Sequence, residues 1–195
     1  QLARDVHPLL ATRGPPGSHD IRLGCDTIDA LRQLLPGQPV PLPRFDKLAD
    51  TRLPPSRWPR CRRRPGLIVL EGWCLKVPPQ AESELAVPVN RLEREEDPDG
   101  RWRRWCNTAL AGYAPLWSRI GTTVYLAPPG FEVVPGWRAE QEAAMVAARP
   151  ARGGMDAAAL VRFVEHFERV SRHAMHTLPG IAEHVLQLDA NRRVR

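Results

Sequence analysis

Two segments of this chain carry side chains that could do chemistry together. The first, Pro43-Arg44-Phe45-Asp46-Lys47, sets two cations, one anion and an aromatic ring into five residues ahead of a proline-rich stretch. An arginine fork grips a carboxylate with two parallel hydrogen bonds. An aspartate accepts from a hydroxyl, so the mixture suits a small anionic or hydroxylated substrate. The second, Leu67-Ile68-Val69-Leu70-Glu71-Gly72-Trp73, is a branched apolar run ending in an acid and a glycine. Such a run predicts a buried parallel strand over 66–71. Open α/β sheets place their chemistry just past the carboxyl ends of such strands. Glu71 could there hold Mg²⁺, directly or through water, beside a nucleotide phosphate. Each segment also has a plainer explanation: a solvated loop, and a core strand that ends in a surface acid.

The elements that must position these groups alternate between helix and strand. Residues 1–12 read as helical, and Asp26 to Leu35 as a short amphipathic helix stopped by Pro36-Gly37. A loop region carries 38–65, before the strand at 66–71. Residues 78–100 are polar and charged, a loop leading into a helix from about Asp99 to Trp117. Thr122 to Leu126 reads as a second strand, closed by Pro128-Pro129. Helices follow at 137–149 and 155–176. The latter carries Leu160, Phe163, Val164, Phe167, Val170 and Ala174 on one face. His184 to Leu188 is a third strand, closed by Asp189. This order predicts an α/β fold with a parallel sheet flanked by helices, in a single domain spanning 1–195. Three strands are few for such a sheet, which points to further strands outside this sequence.

Composition narrows the class. The 195 residues are 43% hydrophobic and 26% charged, ordinary for a soluble globular domain. No apolar run approaches the ~18 residues of a membrane helix. Cys25, Cys61, Cys74 and Cys106 form no C-x-x-C pair and read as free thiols of a reducing cytoplasm. Net charge is +6, much of it in Arg57, Arg60, Arg62, Arg63 and Arg64. The cluster is either an anion patch or a solvated arginine-rich surface. No RNA- or DNA-binding signature accompanies it, so nucleic acid is not the expected partner. His166, His173 and His176 run along one side of a helix; a metal site there competes with ordinary structural or surface histidines.

Read in order, these residues resemble the D-glycerate 3-kinase family, P-loop kinases akin to uridine kinase, phosphoribulokinase and pantothenate kinase. The resemblance runs through Gly17-Ser18-His19-Asp20, Pro43 to Lys47, Asp50-Thr51-Arg52 and Glu71-Gly72-Trp73-Cys74. It continues through Pro88 to Glu93, Asp97-Pro98-Asp99-Gly100, Trp102-Arg103-Arg104 and Asn107. It closes with Trp137 to Glu142 and Phe167 to Arg172. Lys76 departs from it, standing where the family commonly has a small residue.

The resemblance implies a P-loop NTPase-like fold and transfer of the ATP γ-phosphoryl group, with Mg²⁺, to a hydroxyl of D-glycerate. It assigns Arg44, Asp46 and Lys47 to the acceptor substrate, with Asp50, Arg52 and His19 as weaker members of the set. His19 and Asp20 have the alternative of capping the following turn. Glu71 takes the place of a Walker-B-like acid, as catalytic and metal-binding residue. Arg138 and Gln141, one helical turn apart, fall in a segment (132–150) whose counterpart is a lid. Arg138 would there stabilise the transferring phosphate. Gln141, Arg172 and Asp189 fall to the nucleotide side.

None of the 14 glycines opens the G-x-x-x-x-G-K-[ST] loop that such kinases use to cradle phosphates. The sequence is therefore expected to lack the first part of the domain, with its first strands, the loop and the general base. Two alternatives stay open: a related kinase for another small hydroxylated metabolite, and a non-catalytic remnant that binds ligand or partner without turnover.

Overall fold

Side-chain caps mark where most of the helices begin. The computed structural model describes residues 1–46, 51–148 and 154–195. Helix α1 (Leu2–Asp5) leads into a 3-10 turn (Pro8–Ala11) whose start is capped by His7, with Nδ1 accepting from Leu9 N. Helix α2 (Ile21–Arg32) starts at Asp20, whose carboxylate accepts from Leu23 N at 3.0 Å. Helix α3 (Arg91–Glu96) is capped by Asn90. Helix α4 (Arg101–Ala111) is capped from a distance: buried Asp97 accepts from Trp102 N and Arg103 N, setting an anion at the positive end of the helix. Helices α5 (Ala114–Trp117) and α6 (Val134–Ala148) follow, and α7 (Ala157–Thr177) starts on the Asp156 carboxylate, which accepts from Ala159 N at 2.7 Å.

The strands are short. Pairs β1 (Val40–Pro41) with β4 (Arg60–Cys61) and β2 (Phe45–Asp46) with β3 (Thr51–Arg52) are antiparallel. Pair β5 (Val124–Ala127) and β6 (His184–Gln187) is parallel, with Val124 opposite His184 and Ala127 opposite Gln187. The connection between β5 and β6 carries α6 and α7, the helical crossover a parallel pair requires.

The described residues form two units, residues 1–19, 73–114 and 120–195 in one and 20–72 with 115–119 in the other. In the first, Leu9, Leu10, Leu92, Trp102 and Cys106 make one apolar cluster, and Val77, Leu110, Ala174 and Leu178 make a second. Tyr125 and Val170 pack on that second cluster, which seats the parallel pair against α7. The second unit has a smaller core of Cys25, Ile28 and Leu116, with Ile21, Ile68 and Trp117 against it.

The parallel pair flanked by helices agrees with the α/β expectation, and both strands lie within two residues of their expected positions. The strand expected at 66–71 is not there. The segment has no regular structure and no ladder partner among the described residues. Leu67 and Val69 are 78% and 76% exposed, and only Ile68 of the run packs on the core of its unit. A branched apolar run favours the strand conformation, but a strand also needs a neighbour to take its hydrogen bonds. The short strands β1 to β4 stand in a stretch, 38–65, expected as loop, and four further boundaries differ. The first twelve residues are a single helical turn and a 3-10 turn, α2 reaches back to Ile21, α3 stands in a stretch expected as loop, and the helix expected from Asp99 to Trp117 breaks at Gly112.

Candidate active site

In the first unit, a tight turn at 14–19 presents His19. Ser18 Oγ accepts from Gly14 N at 2.9 Å and donates to Pro15 O at 2.8 Å. Gly17 lies in the left-handed region at φ 89°, and a Cβ there would come within 2.4 Å of the Trp105 ring. Only glycine therefore fits between the turn and α4. Tyr113, at the end of α4, closes the arrangement. Its hydroxyl accepts from Gly17 N at 2.9 Å and lies 2.6 Å from His19 Nδ1. Burial, and then the Arg13 cation, push the His19 pKa down. His19 thus stands neutral near pH 7, with Nδ1 held by the Tyr113 hydroxyl.

The cations expected to serve the phosphates are already engaged in this unit. Arg138 donates to Gln141 Oε1 at 3.0 Å and to Glu142 Oε2 at 2.9 Å. Its guanidinium also lies 5.1 Å over the Phe163 ring. The expected same-face pairing of Arg138 with Gln141 is therefore present, and Glu142 adds a partner one position further on. Glu142 in turn accepts from Met155 N, which joins α6 to the residues just before α7. Arg172 pairs with Glu168 at 2.8 Å and lies 5.0 Å over the Phe131 ring. Asp189 accepts from Asn191 N and Arg193 N, so its carboxylate organises the turn after β6. That turn is bound to α6 by Trp137 Nε1 donating to Ala190 O at 2.7 Å.

In the second unit, the β2–β3 hairpin sorts the expected substrate residues. Side chains alternate along a strand, so Arg44 and Asp46 share one face. Arg52 stands opposite Phe45, on the other face. The ladder extends one step further through Leu53 N donating to Arg44 O at 2.9 Å. Arg52 donates to Asp20 Oδ2 at 2.8 Å. The Leu23 amide first, and then Arg52, hold the Asp20 carboxyl below its ordinary range. Asp20 therefore takes the capping role of its two alternatives. Glu71 is exposed on the irregular segment after Leu70. Lys47 and Asp50 lie outside the described residues, as do the last two residues of the 132–150 segment. Among the described residues no group of three His, Cys, Asp or Glu side chains could hold a metal ion, the His166, His173 and His176 row included.

Sequence reasoning gave no role to the polar residues that fix the first unit. Glu93, fully buried, accepts from Arg169 Nε and Nη2, both at 2.7 Å. Arg169 also donates to the carbonyls of Glu84 and Val87. Asn90 caps α3 and donates to Glu165 O at 2.8 Å. Lys76 adopts φ 55°, the left-handed region where a small residue is cheapest. The departure noted in the sequence thus coincides with a backbone position that penalises side chains.

Comparison with solved structures places this arrangement. A D-glycerate 3-kinase from Cryptococcus neoformans superposes over 99% of this chain and 72% of its own, with a TM-score of 0.73 at 21% identity. The fold is that of a D-glycerate 3-kinase. Sequence similarity points the same way. The chain is 29% identical over 143 residues to the chloroplastic D-glycerate 3-kinase of Arabidopsis thaliana. It is 27% identical over 166 residues to an uncharacterised kinase, mug58, of Schizosaccharomyces pombe. It covers 83% of its own length in the yeast match and 70% in the plant one, and spans 58% and 29% of those two relatives. No family model matches the chain. No described helix is long and apolar enough to cross a membrane.

Proposed function

We propose that this chain is the acceptor-binding and lid-bearing part of an ATP-dependent kinase that phosphorylates a hydroxyl of D-glycerate. The observation that carries the reading is the likeness in fold to a D-glycerate 3-kinase along 99% of the chain, with the plant relative's similarity beside it.

In this reading the hairpin face with Arg44 and Asp46 receives the acceptor: the guanidinium takes the carboxylate and the aspartate orients a hydroxyl. Lys47 and Asp50 belong to the same segment. Arg52 acts at one remove, by holding Asp20 at the start of α2. His19 offers the free side of its ring. Glu71 is one exposed carboxylate, and the Mg²⁺ that accompanies ATP commonly takes one or two carboxylates and completes its shell with phosphate oxygens and water. The donor set fits a metal carried in by the nucleotide. When bound, MgATP supplies the phosphoryl group with part of its charge neutralised. Arg138, Gln141, Arg172 and Asp189 would meet the nucleotide. For the two arginines this requires exchange of Glu142 and Glu168 for phosphate oxygens, an exchange suited to a lid over 132–150.

The test is steady-state kinetics of the intact protein with glycerate and MgATP. Arg44→Ala should raise KM for glycerate far more than for ATP; equal effects, or none, overturn the acceptor assignment. The engagement of Arg138 and Arg172 by carboxylates favours a second reading, ligand binding without turnover. Steady ADP release by the intact protein with glycerate, or with another small hydroxylated metabolite, eliminates it.

A further inference from the structure

Between α4 and α7 lies a cavity of about 30 Å³, lined in part by Trp102, Cys106, Asn107, Leu110, His166 and His173. Three of its lining side chains have a buried polar atom without a hydrogen-bond partner among the described residues: Trp102 Nε1, His166 Nε2 and His173 Nε2. Trp102 and His166 are each 3% exposed, so bulk water does not serve them. A buried polar group left unpaired is costly, and three among the residues lining one small cavity call for an occupant.

The chemistry of that occupant follows from the protons. His166 Nδ1 lies 2.7 Å from Arg162 O, and a carbonyl only accepts, so Nδ1 carries the proton. Burial pushes the pKa of His166 down, which keeps the ring neutral and leaves Nε2 a lone-pair acceptor. His173, also with its pKa lowered by burial, adds a second ring nitrogen, Nε2, that has no partner among the described residues. The indole Nε1–H of Trp102 can only donate. Trp102 and His166 therefore present one donor and one acceptor, and their rings meet edge-on at 5.8 Å between centroids. A molecule that both accepts and donates satisfies them, and an ion of either sign does not. Residues 166 and 173 stand two turns apart on one helix, about 10 Å along its axis, too far for their nitrogens to share a metal. At 30 Å³ there is room for about two waters, since each needs some 10–15 Å³ measured this way.

We propose that this cavity is a built internal water site. One water accepts from Trp102 Nε1–H and donates to His166 Nε2; a second pairs with His173 Nε2. The pair joins α4 to α7 through solvent rather than through direct side-chain bonds. The site is independent of the kinase reading.

Two measurements test it on the intact protein. A crystal structure fine enough to show ordered solvent should place a peak within hydrogen-bond distance of both Trp102 Nε1 and His166 Nε2. A dry cavity, or the two rings closed into a direct bond, overturns the proposal. Thermal melts of Trp102→Phe, His166→Phe and the double variant give the second readout. Each single substitution strands a half-bonded water, so the double variant should lose clearly less Tm than the two singles combined; strict additivity overturns the bridge. Binding of Zn²⁺ that is lost in His166→Phe would also overturn it, by giving the site to a metal.

Discussion

Among the described residues, the two units of this molecule differ in whether they bury charged pairs. In the unit built on α4 and α7, Glu93 and Arg169, and Asp97 and Arg103, are buried pairs with their remaining capacity directed at backbone carbonyls and amides. In the unit built on α2 and the β2–β3 hairpin, Arg52 with Asp20 and Arg119 with Asp29 pair at or near the surface, beside a core of three buried side chains. The first arrangement makes electrostatics part of the core, where breaking a pair strands a charge. The second leaves charges accessible, at little benefit to stability. A unit of the second kind can give its arginines and acids to a ligand without unfolding.

Substitutions can break that contrast, beginning with the largest effect. Arg169→Met leaves Glu93 charged and buried with its main partner gone. It should cost about 3–5 kcal/mol in urea unfolding; a loss under 1 kcal/mol would mean the pair is not dry. Tyr113→Phe removes the acceptor for Gly17 N and the partner of His19 Nδ1. It should cost about 1–3 kcal/mol, as for a buried donor left unpaired, with little change if the 14–19 turn is held by Ser18 alone.

The pH dependence sharpens the contrast from another side. His19, His166 and His173, all in the first unit, have pKa values lowered by burial. The unfolded chain takes up protons at these residues near the ordinary pKa of about 6.5, and the folded chain only at lower pH. Their stabilising contribution is thus complete above about 6.5 and is lost as the pH falls through that value toward the folded pKa values. Melting temperature should drop by several degrees between about pH 7.5 and 5.5, less so in His166→Phe; a flat profile in that window refutes the neutral assignment. The smallest effect belongs to Arg52→Ala, an exposed pair member, at about 0–1 kcal/mol. A larger loss would show that the cap of α2 depends on it.

The sequence made periodic features legible and left long-range pairing obscure. The α7 stripe from Leu160 to Ala174, and the two strands bounded by Pro128-Pro129 and Asp189, can be read because their signals are local. Ile68 could not be separated from Leu67 and Val69 by inspection. Which member of an apolar run meets the core depends on partners far along the chain. The clamp between Glu93 and Arg169 spans 76 residues, and no spacing rule finds such a pair. Tyr113 was hidden for the same reason: its role depends on Gly17, 96 residues earlier. Among the site residues, Arg44 and Asp46 are grouped by the family segment they share; that one face of a short strand carries both emerges only from the hairpin, in a stretch expected as loop. Arg52 could not be set apart until the hairpin register was known.

The Arg169 clamp has a consequence for how the chain breathes. One guanidinium grips the carbonyls of Glu84 and Val87 and the carboxylate that accepts from Val89 N. The 86–90 stretch, irregular by its backbone, therefore cannot lift away while α7 stays wound. Amide hydrogens such as those of Val89 and Glu93 should exchange with deuterium only at the rate of the α7 interior, as members of one cooperative opening unit. A segment that looks like a connecting loop would then report the global unfolding of its unit.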